Sequence, residues 1–215
     1  MVSAYLNRIV TAVPDFDVHE KFVSYGPSLL PDPQSRQLFG RMARRAQIDH
    51  RYSFLQPHAE NDLLDTEGFY TRNQFPDTHR RMKFYEAHAF SLARDALDQI
   101  HLDGVTHLII TTCTGFYAPG LDLQIIDHYG LPSFIERTVI GFMGCYAALN
   151  ALKLARHIVR SEAKARVAIL NLELCTLHLK QCGSLEEMLT FLIFGDGCSA
   201  SLISAQPEGL ELQSF

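Results

Sequence analysis

The chain has 215 residues, 47% of them hydrophobic and 20% charged, with a formal net charge of -5. That length suits one substantial core or two small ones, the composition is that of a soluble globular protein, and the mild negative charge excludes the basic footprint of a nucleic-acid-binding domain. No apolar run approaches the roughly 20 residues of a membrane span, and Met1-Val-Ser-Ala-Tyr-Leu-Asn-Arg-Ile-Val10 lacks the layout of a signal peptide, so a cytoplasmic protein is expected.

From the N-terminus, Tyr5 to Val13 alternates as a strand does and stops at Pro14. Lys21 to Pro33, with Gly26, Pro27, Pro31 and Pro33, reads as mostly loop. Ser35 to Ala46 is a predicted helix with Leu38, Met42 and Ala46 in one row and Arg36, Arg41, Arg44 and Arg45 on other faces. Arg41 and Arg45 are one turn apart and point the same way. They read either as a solvated basic face or as a site for the phosphates of a nucleotide-like ligand. Ile48 to Asp77 is irregular and rich in aromatic residues, a wrapped loop region. His79 to Ile100 is a helix on which Phe84, Ala87, His88, Ser91, Leu92, Asp95 and Ala96 recur with the helical period, stopped near Gly104.

Val105-Thr-His-Leu-Ile-Ile-Thr-Thr-Cys113 is a continuous apolar and β-branched run, as in a strand buried on both faces. Thr114 to Gly120 is a turn, and Leu121 to Tyr129 a short helix closed by Gly130. Arg137 to Arg156 then reads as a short apolar strand, a tight turn at Gly144, and a helix beginning at or just after Cys145. A thiol there meets the unpaired N–H groups and positive dipole end of a helix, which favour the thiolate and hence covalent catalysis. The competing reading is a buried small residue. Ala165 to Leu174 is a third buried strand, Ser184 to Phe191 is helical, and Phe194-Gly-Asp-Gly197 is a tight turn into the strand Cys198 to Ser204. Strands alternating with helices predict an α/β sheet covered by helices on both faces. With no linker or repeat, one domain over 1–215 is expected. The five cysteines, Cys113, Cys145, Cys175, Cys182 and Cys198, are odd in number and lack a C-x-x-C pair. Reduced thiols are expected, with no disulfide framework and no metal site.

Gly-Phe-Met-Gly-Cys145-Tyr-Ala-Ala, the loop Thr112-Cys-Thr-Gly-Phe-Tyr-Ala-Pro-Gly-Leu-Asp122 and the Phe194-Gly-Asp-Gly197 motif come in the order and spacing of a type III polyketide synthase. The chain thus resembles the chalcone synthase-like branch of the thiolase-fold condensing enzymes, from Tyr5 to about Ser204. The resemblance implies a thiolase-like half-fold: a mixed, mostly parallel sheet with the nucleophile at a strand-to-helix turn. It implies that Cys145 accepts the starter acyl group from coenzyme A and carries the growing chain as a thioester. Phe194 matches the gatekeeper between coenzyme A tunnel and condensation cavity, and Arg41 and Arg45 match positions that bind coenzyme A phosphates. Cys113, Thr114, Cys175 and His178 match cavity-lining positions. Ala118 stands where plant members often carry a methionine that reaches into the partner subunit's cavity.

The implied reaction is decarboxylative condensation of malonyl-CoA onto an acyl-CoA starter, by a homodimer without a resident cofactor. The family's catalytic histidine and asparagine belong to a C-terminal half that the resemblance places beyond Phe215, so the chain is expected to be a fragment. His88, His107 and His157 read as core or surface histidines. Two alternatives stand beside this reading: a ketoacyl synthase-like enzyme that uses an acyl carrier protein, and a non-catalytic pairing subunit.

Overall fold

The structure is a computed structural model that describes residues 2–60, 62–181 and 184–215; Cys182 lies outside the described residues. Its elements in chain order are β1 (Tyr5–Ala12), β2 (Phe16–Asp17), α1 (His19–Tyr25), α2 (Pro33–Arg45), β3 (Tyr52–Ser53), α3 (Thr78–Leu97), β4 (His107–Thr112), α4 (Leu121–Tyr129), β5 (Glu136–Gly141), α5 (Ala147–Ser161), β6 (Arg166–Leu174), α6 (Leu185–Ile193), β7 (Asp196–Ser204) and β8 (Leu210–Glu211). Short 3-10 turns cover Gly26–Leu29, Gly144–Tyr146 and Cys175–His178. The chain divides into two compact units, both discontinuous in sequence. No linker in the sequence marks this division. Among the described residues no helix is long and apolar enough to cross a membrane.

The first unit comprises Met1–Ala12, Tyr85–Glu173 and Gly197–Phe215. The six-stranded sheet has the order β5-β4-β6-β7-β1-β8. β4 pairs in parallel with β5 and β6, and β1 pairs antiparallel with β7 and β8. Side chains alternate across the sheet. On one face Ile109, Val167 and Ile169 meet Ala151, Ala155 and Val159 of α5 in a buried cluster. The repeat Ala147, Ala151, Ala155, Val159 gives α5 a stripe of small side chains at a spacing of four, which lets the helix lie close to the strands. On the other face the Tyr85 hydroxyl of α3 meets Thr112 Oγ1 at 2.8 Å. The sheet is mixed and helices cover both faces, as expected.

Two expectations in this unit shift. The inner face of α3 is Tyr85, Ala89, Leu92, Ala93, Ala96 and Leu97; Asp95 is exposed. The amphipathic rows i and i+1 of an alanine-rich helix differ little in apolarity, so the pattern alone sets the face only to within one residue. β5, read as an apolar strand, is the sheet's edge, exposed from Glu136 to Val139. Its position at the edge, which no local pattern encodes, leaves Val139 56% exposed.

The second unit comprises Val13–Phe84 and Leu174–Asp196. Here α1 and the turn Gly26–Leu29 replace the expected loop. His19, Phe22 and Tyr25 give α1 a buried face. Pro27 falls in the first turn of the 3-10 segment, where its missing N–H costs nothing. α2 is capped by Asp32, whose carboxylate accepts from Ser35 N at 2.9 Å, with Pro33 in the first turn. Its buried residues are Phe39 and Ala43, and Met42 is 39% exposed. The row Leu38, Met42, Ala46 is therefore one position off, because the large ring of Phe39 packs against Phe22 at 6.1 Å between centroids. The aromatic loop is organised by the buried Asp65 carboxylate, which accepts from the backbone N–H groups of Glu67, Phe69 and Tyr70. Phe194 and Gly195 do not make a turn: α6 ends at Ile193, Phe194 is extended with ψ 138°, and β7 begins at Asp196.

Candidate active site

The parallel strands β5, β4 and β6 bring three chain ends side by side. Thr112 pairs with Gly141, and Thr111 pairs with Asn171. The residues just beyond, at the carboxyl ends, are where an open α/β sheet presents its ligand site. After Gly141 the backbone reverses sharply. Phe142 has φ 58° and Gly144 φ 61°, and the 3-10 turn Gly144–Tyr146 leads into α5 at Ala147. Glycine enters the left-handed region freely, whereas phenylalanine there is strained, of order 1–3 kcal/mol. No Cβ neighbour lies within 4 Å of Gly144, so backbone conformation and not crowding makes glycine suitable.

Cys145 sits on this elbow and is exposed. It is not the buried small residue of the competing reading. The elbow is flanked by Phe142, 79% exposed, and Tyr146, 62% exposed.

Cys113 and Thr114 approach the same elbow from β4. The Cys113 thiol lies 4.0 Å from Gly144 O. Their loop is held by Glu173, near the end of β6, whose two carboxylate oxygens accept from Cys113 N at 2.8 and 2.9 Å, while one accepts from Thr114 Oγ1 at 2.6 Å. A charge-assisted hydrogen bond of this length is among the stronger ones. The sequence reading misses Glu173. Its signal was the polar alternation of Asn171 and Glu173 at the end of an otherwise apolar strand. Thr111 Oγ1 in turn donates to Asn171 Oδ1 at 2.8 Å, so polar side chains lace these strand ends together. A cleft of about 270 Å³ opens beside the loop, lined by Tyr85, Thr112, Gly115, Phe116, Val139 and Phe142 among others.

The remaining candidates lie in the second unit. Arg41 and Arg45 are exposed on α2, and among the described residues neither guanidinium has a hydrogen-bond or ion-pair partner. Phe194 is 42% exposed. Its carbonyl accepts from Arg51 Nη1 at 2.9 Å, as does that of Phe191 at 2.6 Å. Arg51, also missed from sequence, thus closes the carboxyl end of α6, where cations are favoured. Arg51 is buried, only 6% exposed; its guanidinium lies over the Phe22 ring, and burial brings its pKa down to about 10 against the opposing pull of Asp17 and Asp196.

Cys175 and His178 bound the 3-10 turn Cys175–His178, in which Leu177 is buried. That turn is fixed by Asp196, which accepts from Thr176 N and Thr176 Oγ1, both at 2.8 Å. Burial pushes the Asp196 carboxyl up to about 7, although hydrogen bonds from Thr176, Ser53 and Phe54 pull the other way. Sequence candidates therefore gather in two groups: Cys145 with Cys113 and Thr114 in one unit, and Phe194, Cys175 and His178 around Arg51 and Asp196 in the other, with Arg41 and Arg45 on α2.

The sequence profile of the N-terminal domain of chalcone and stilbene synthases matches residues 10–207. The alpha-pyrone synthesis polyketide synthase-like protein of Mycobacterium tuberculosis is 32% identical over 184 residues, which are 82% of this chain and 45% of that protein. Bisdemethoxycurcumin synthase of Oryza sativa is 25% identical over 185 residues, again 82% of this chain and 45% of that protein. This chain therefore spans about half the length of the curated relatives it matches. Among solved structures, the C-terminal type III polyketide synthase domain of Steely1 from Dictyostelium superposes with TM-score 0.81 at 22% identity, over 97% of this chain and 58% of that one. The 1,3,6,8-tetrahydroxynaphthalene synthase of Streptomyces coelicolor superposes with TM-score 0.78 at 21% identity, over 95% and 57%. These likenesses establish the fold.

Proposed function

This chain belongs to the chalcone and stilbene synthase family, and on that premise we propose that it is the nucleophile-bearing half of a type III polyketide synthase. Cys145 Sγ attacks the thioester of an acyl-CoA starter; a new S–acyl bond forms and coenzyme A leaves as its thiol. Malonyl-CoA then loses carbon dioxide, and the α-carbon of the resulting acetyl-CoA enolate attacks the Cys145 thioester carbonyl; the carbon–carbon bond forms, the Cys145 Sγ–acyl bond breaks to release the thiolate, and the extended acyl chain is carried on coenzyme A. The observation that carries this reading is the elbow itself: an exposed cysteine held on two left-handed residues at the carboxyl ends of parallel strands. Cys113 and Thr114, set by Glu173, line the condensation cavity. In the second unit, Cys175 and His178 match the family's lining positions, and Phe194, pinned by Arg51, matches its gatekeeper.

Acyl-CoA and malonyl-CoA are the substrates, and no resident cofactor is needed. The exposed guanidinium groups of Arg41 and Arg45, without partners among the described residues, suit the phosphates of coenzyme A. That favours coenzyme A over an acyl carrier protein; turnover with malonyl-CoA in the absence of carrier protein tests it. The exposed edge strand β5, with Val139, Phe142 and Met143 beside it, is an apolar surface of the kind that calls for a partner. It supports a homodimer in the whole enzyme. Cys113, Cys145, Cys175 and Cys198 form no disulfide, which suits a reducing cytoplasm.

Labelling with a radioactive acyl-CoA tests the nucleophile. In the polypeptide that carries both halves of the fold, the label is expected on Cys145 and absent from Cys145→Ala; equal labelling of the two would remove the assignment. A non-catalytic subunit would take up no label in either.

A further inference from the structure

We propose that His107, Glu136 and Glu162 form a binding site for a divalent cation of the zinc class, at the end of the sheet opposite Cys145. His107 and Glu136 are the first residues of β4 and β5 and pair directly in the parallel register. Six-residue strands place them roughly 17 Å from the carboxyl ends that carry the candidate active site. Glu162 ends α5 and is fixed by two backbone bonds, its N–H to Ile158 O and Ala165 N–H to its carbonyl, both 2.8 Å. One ligand atom from each side chain comes within 4.8 Å of the other two.

The histidine makes this more than a pair of surface carboxylates. Its side chain is only 6% exposed, and its other ring nitrogen is already engaged: Nδ1 lies 2.8 Å from Thr106 Oγ1. That hydroxyl also accepts from Arg166 N at 3.0 Å and lies 3.2 Å from Arg166 O. When the hydroxyl donates to Arg166 O, its remaining lone pair receives the Nδ1–H of His107. Nε2 is then the ring nitrogen left to face Glu136, 3.5 Å from its Oε2, and in the neutral ring it is the acceptor that a metal needs. This is the arrangement of a ligating histidine whose second nitrogen is oriented by a hydrogen-bond partner.

The separation agrees. Nε2 is 3.5 Å from Glu136 Oε2, long for a direct N–H···O hydrogen bond. It is close to the edge of a coordination tetrahedron, about 3.4 Å when metal–ligand bonds are about 2.0–2.1 Å. Imidazole with two carboxylates suits zinc better than magnesium or calcium, which prefer oxygen alone. The two carboxylates balance the charge of the ion, and both glutamates are exposed, so water can complete the coordination. Three ligands separated by 29 and 26 residues carry no metal-binding motif, which is why a reading of the cysteines alone expects no metal. Such an ion would tie the starts of β4 and β5 to the end of α5, the three elements that carry the Cys113 loop and the Cys145 elbow.

The test is calorimetric titration of the metal-stripped chain with Zn²⁺, after its accessible thiols have been alkylated to remove cysteine ligands. The wild-type chain is expected to bind one more equivalent than the Glu136→Gln/Glu162→Gln double variant, and each single variant to weaken that equivalent at least tenfold. Both positions are exposed, so the variants should keep the wild-type melting temperature in the absence of metal. X-ray absorption at the zinc edge should show one imidazole in the wild-type complex and lose it in His107→Gln. Equal stoichiometry and affinity in the wild type and the double variant would overturn the proposal.

Discussion

Replacing Gly115 with alanine tests how firmly the loop beside the nucleophile is set. A Cβ at this position falls 2.1, 2.3 and 2.5 Å from ring atoms of Tyr85. That ring is 1% exposed, and its hydroxyl is bonded to Thr112 Oγ1 at 2.8 Å, so it cannot swing aside without leaving the core. Either the ring or the loop must move. Overpacking of this kind costs about 1–3 kcal/mol, and losing the hydroxyl bond adds about 1 kcal/mol. At about 2–4 °C per kcal/mol for a chain of this size, the melting temperature should fall by roughly 5–15 °C. Gly144→Ala is the matched control, since nothing lies within 4 Å of its Cβ and only φ 61° opposes it. That change should cost about 1 kcal/mol, or roughly 2–4 °C. Thermal unfolding followed by circular dichroism reads both. A Gly115→Ala chain at least as stable as Gly144→Ala would refute the packing argument.

Two further outcomes follow from the second unit. Asp196 has its carboxyl raised by burial to about 7, from an ordinary 3.8. The folded state therefore holds a proton that the unfolded chain has lost between these values, and stability falls as pH rises through that window. Melting temperatures at about pH 5 and pH 8 should differ more for the wild type than for Asp196→Asn; an equal pH dependence in both would contradict the assignment. Arg41→Ala and Arg45→Ala should each raise the dissociation constant of coenzyme A by about fivefold to thirtyfold, the loss of roughly 1 to 2 kcal/mol of phosphate pairing. Rising salt should shrink the difference, and an unchanged constant would remove these residues from the coenzyme A site.

What could be read from the sequence was what local patterns encode. The β4 run, α4 with its Gly130 stop and the turn into a helix at Cys145 each carry their signal in consecutive residues, and all three stand as expected. The misplaced features depend on distant partners. β5 reads as apolar on the strength of Val139 and Ile140, but its exposure comes from lying at the sheet edge, with β4 on one side only. The inner face of α2 is set by Phe39 meeting Phe22, seventeen residues earlier in the chain. Glu173 becomes part of the site only because the parallel register brings it to Cys113, sixty residues away. Arg51 lies in the irregular aromatic-rich stretch with no motif around it, yet the fold buries it against the carbonyls of Phe191 and Phe194. Candidate residues with motif neighbours were visible; those defined by register or by burial were not.

The central claim is that Cys145 carries the acyl group. The most direct measurement is the mass of the polypeptide with both halves of the fold after exposure to an acyl-CoA, followed by peptide mapping. One acyl adduct should appear on the peptide containing Cys145, disappear in Cys145→Ala, and persist in Cys113→Ser. An adduct that maps to Cys113, or that survives in Cys145→Ala, would contradict it.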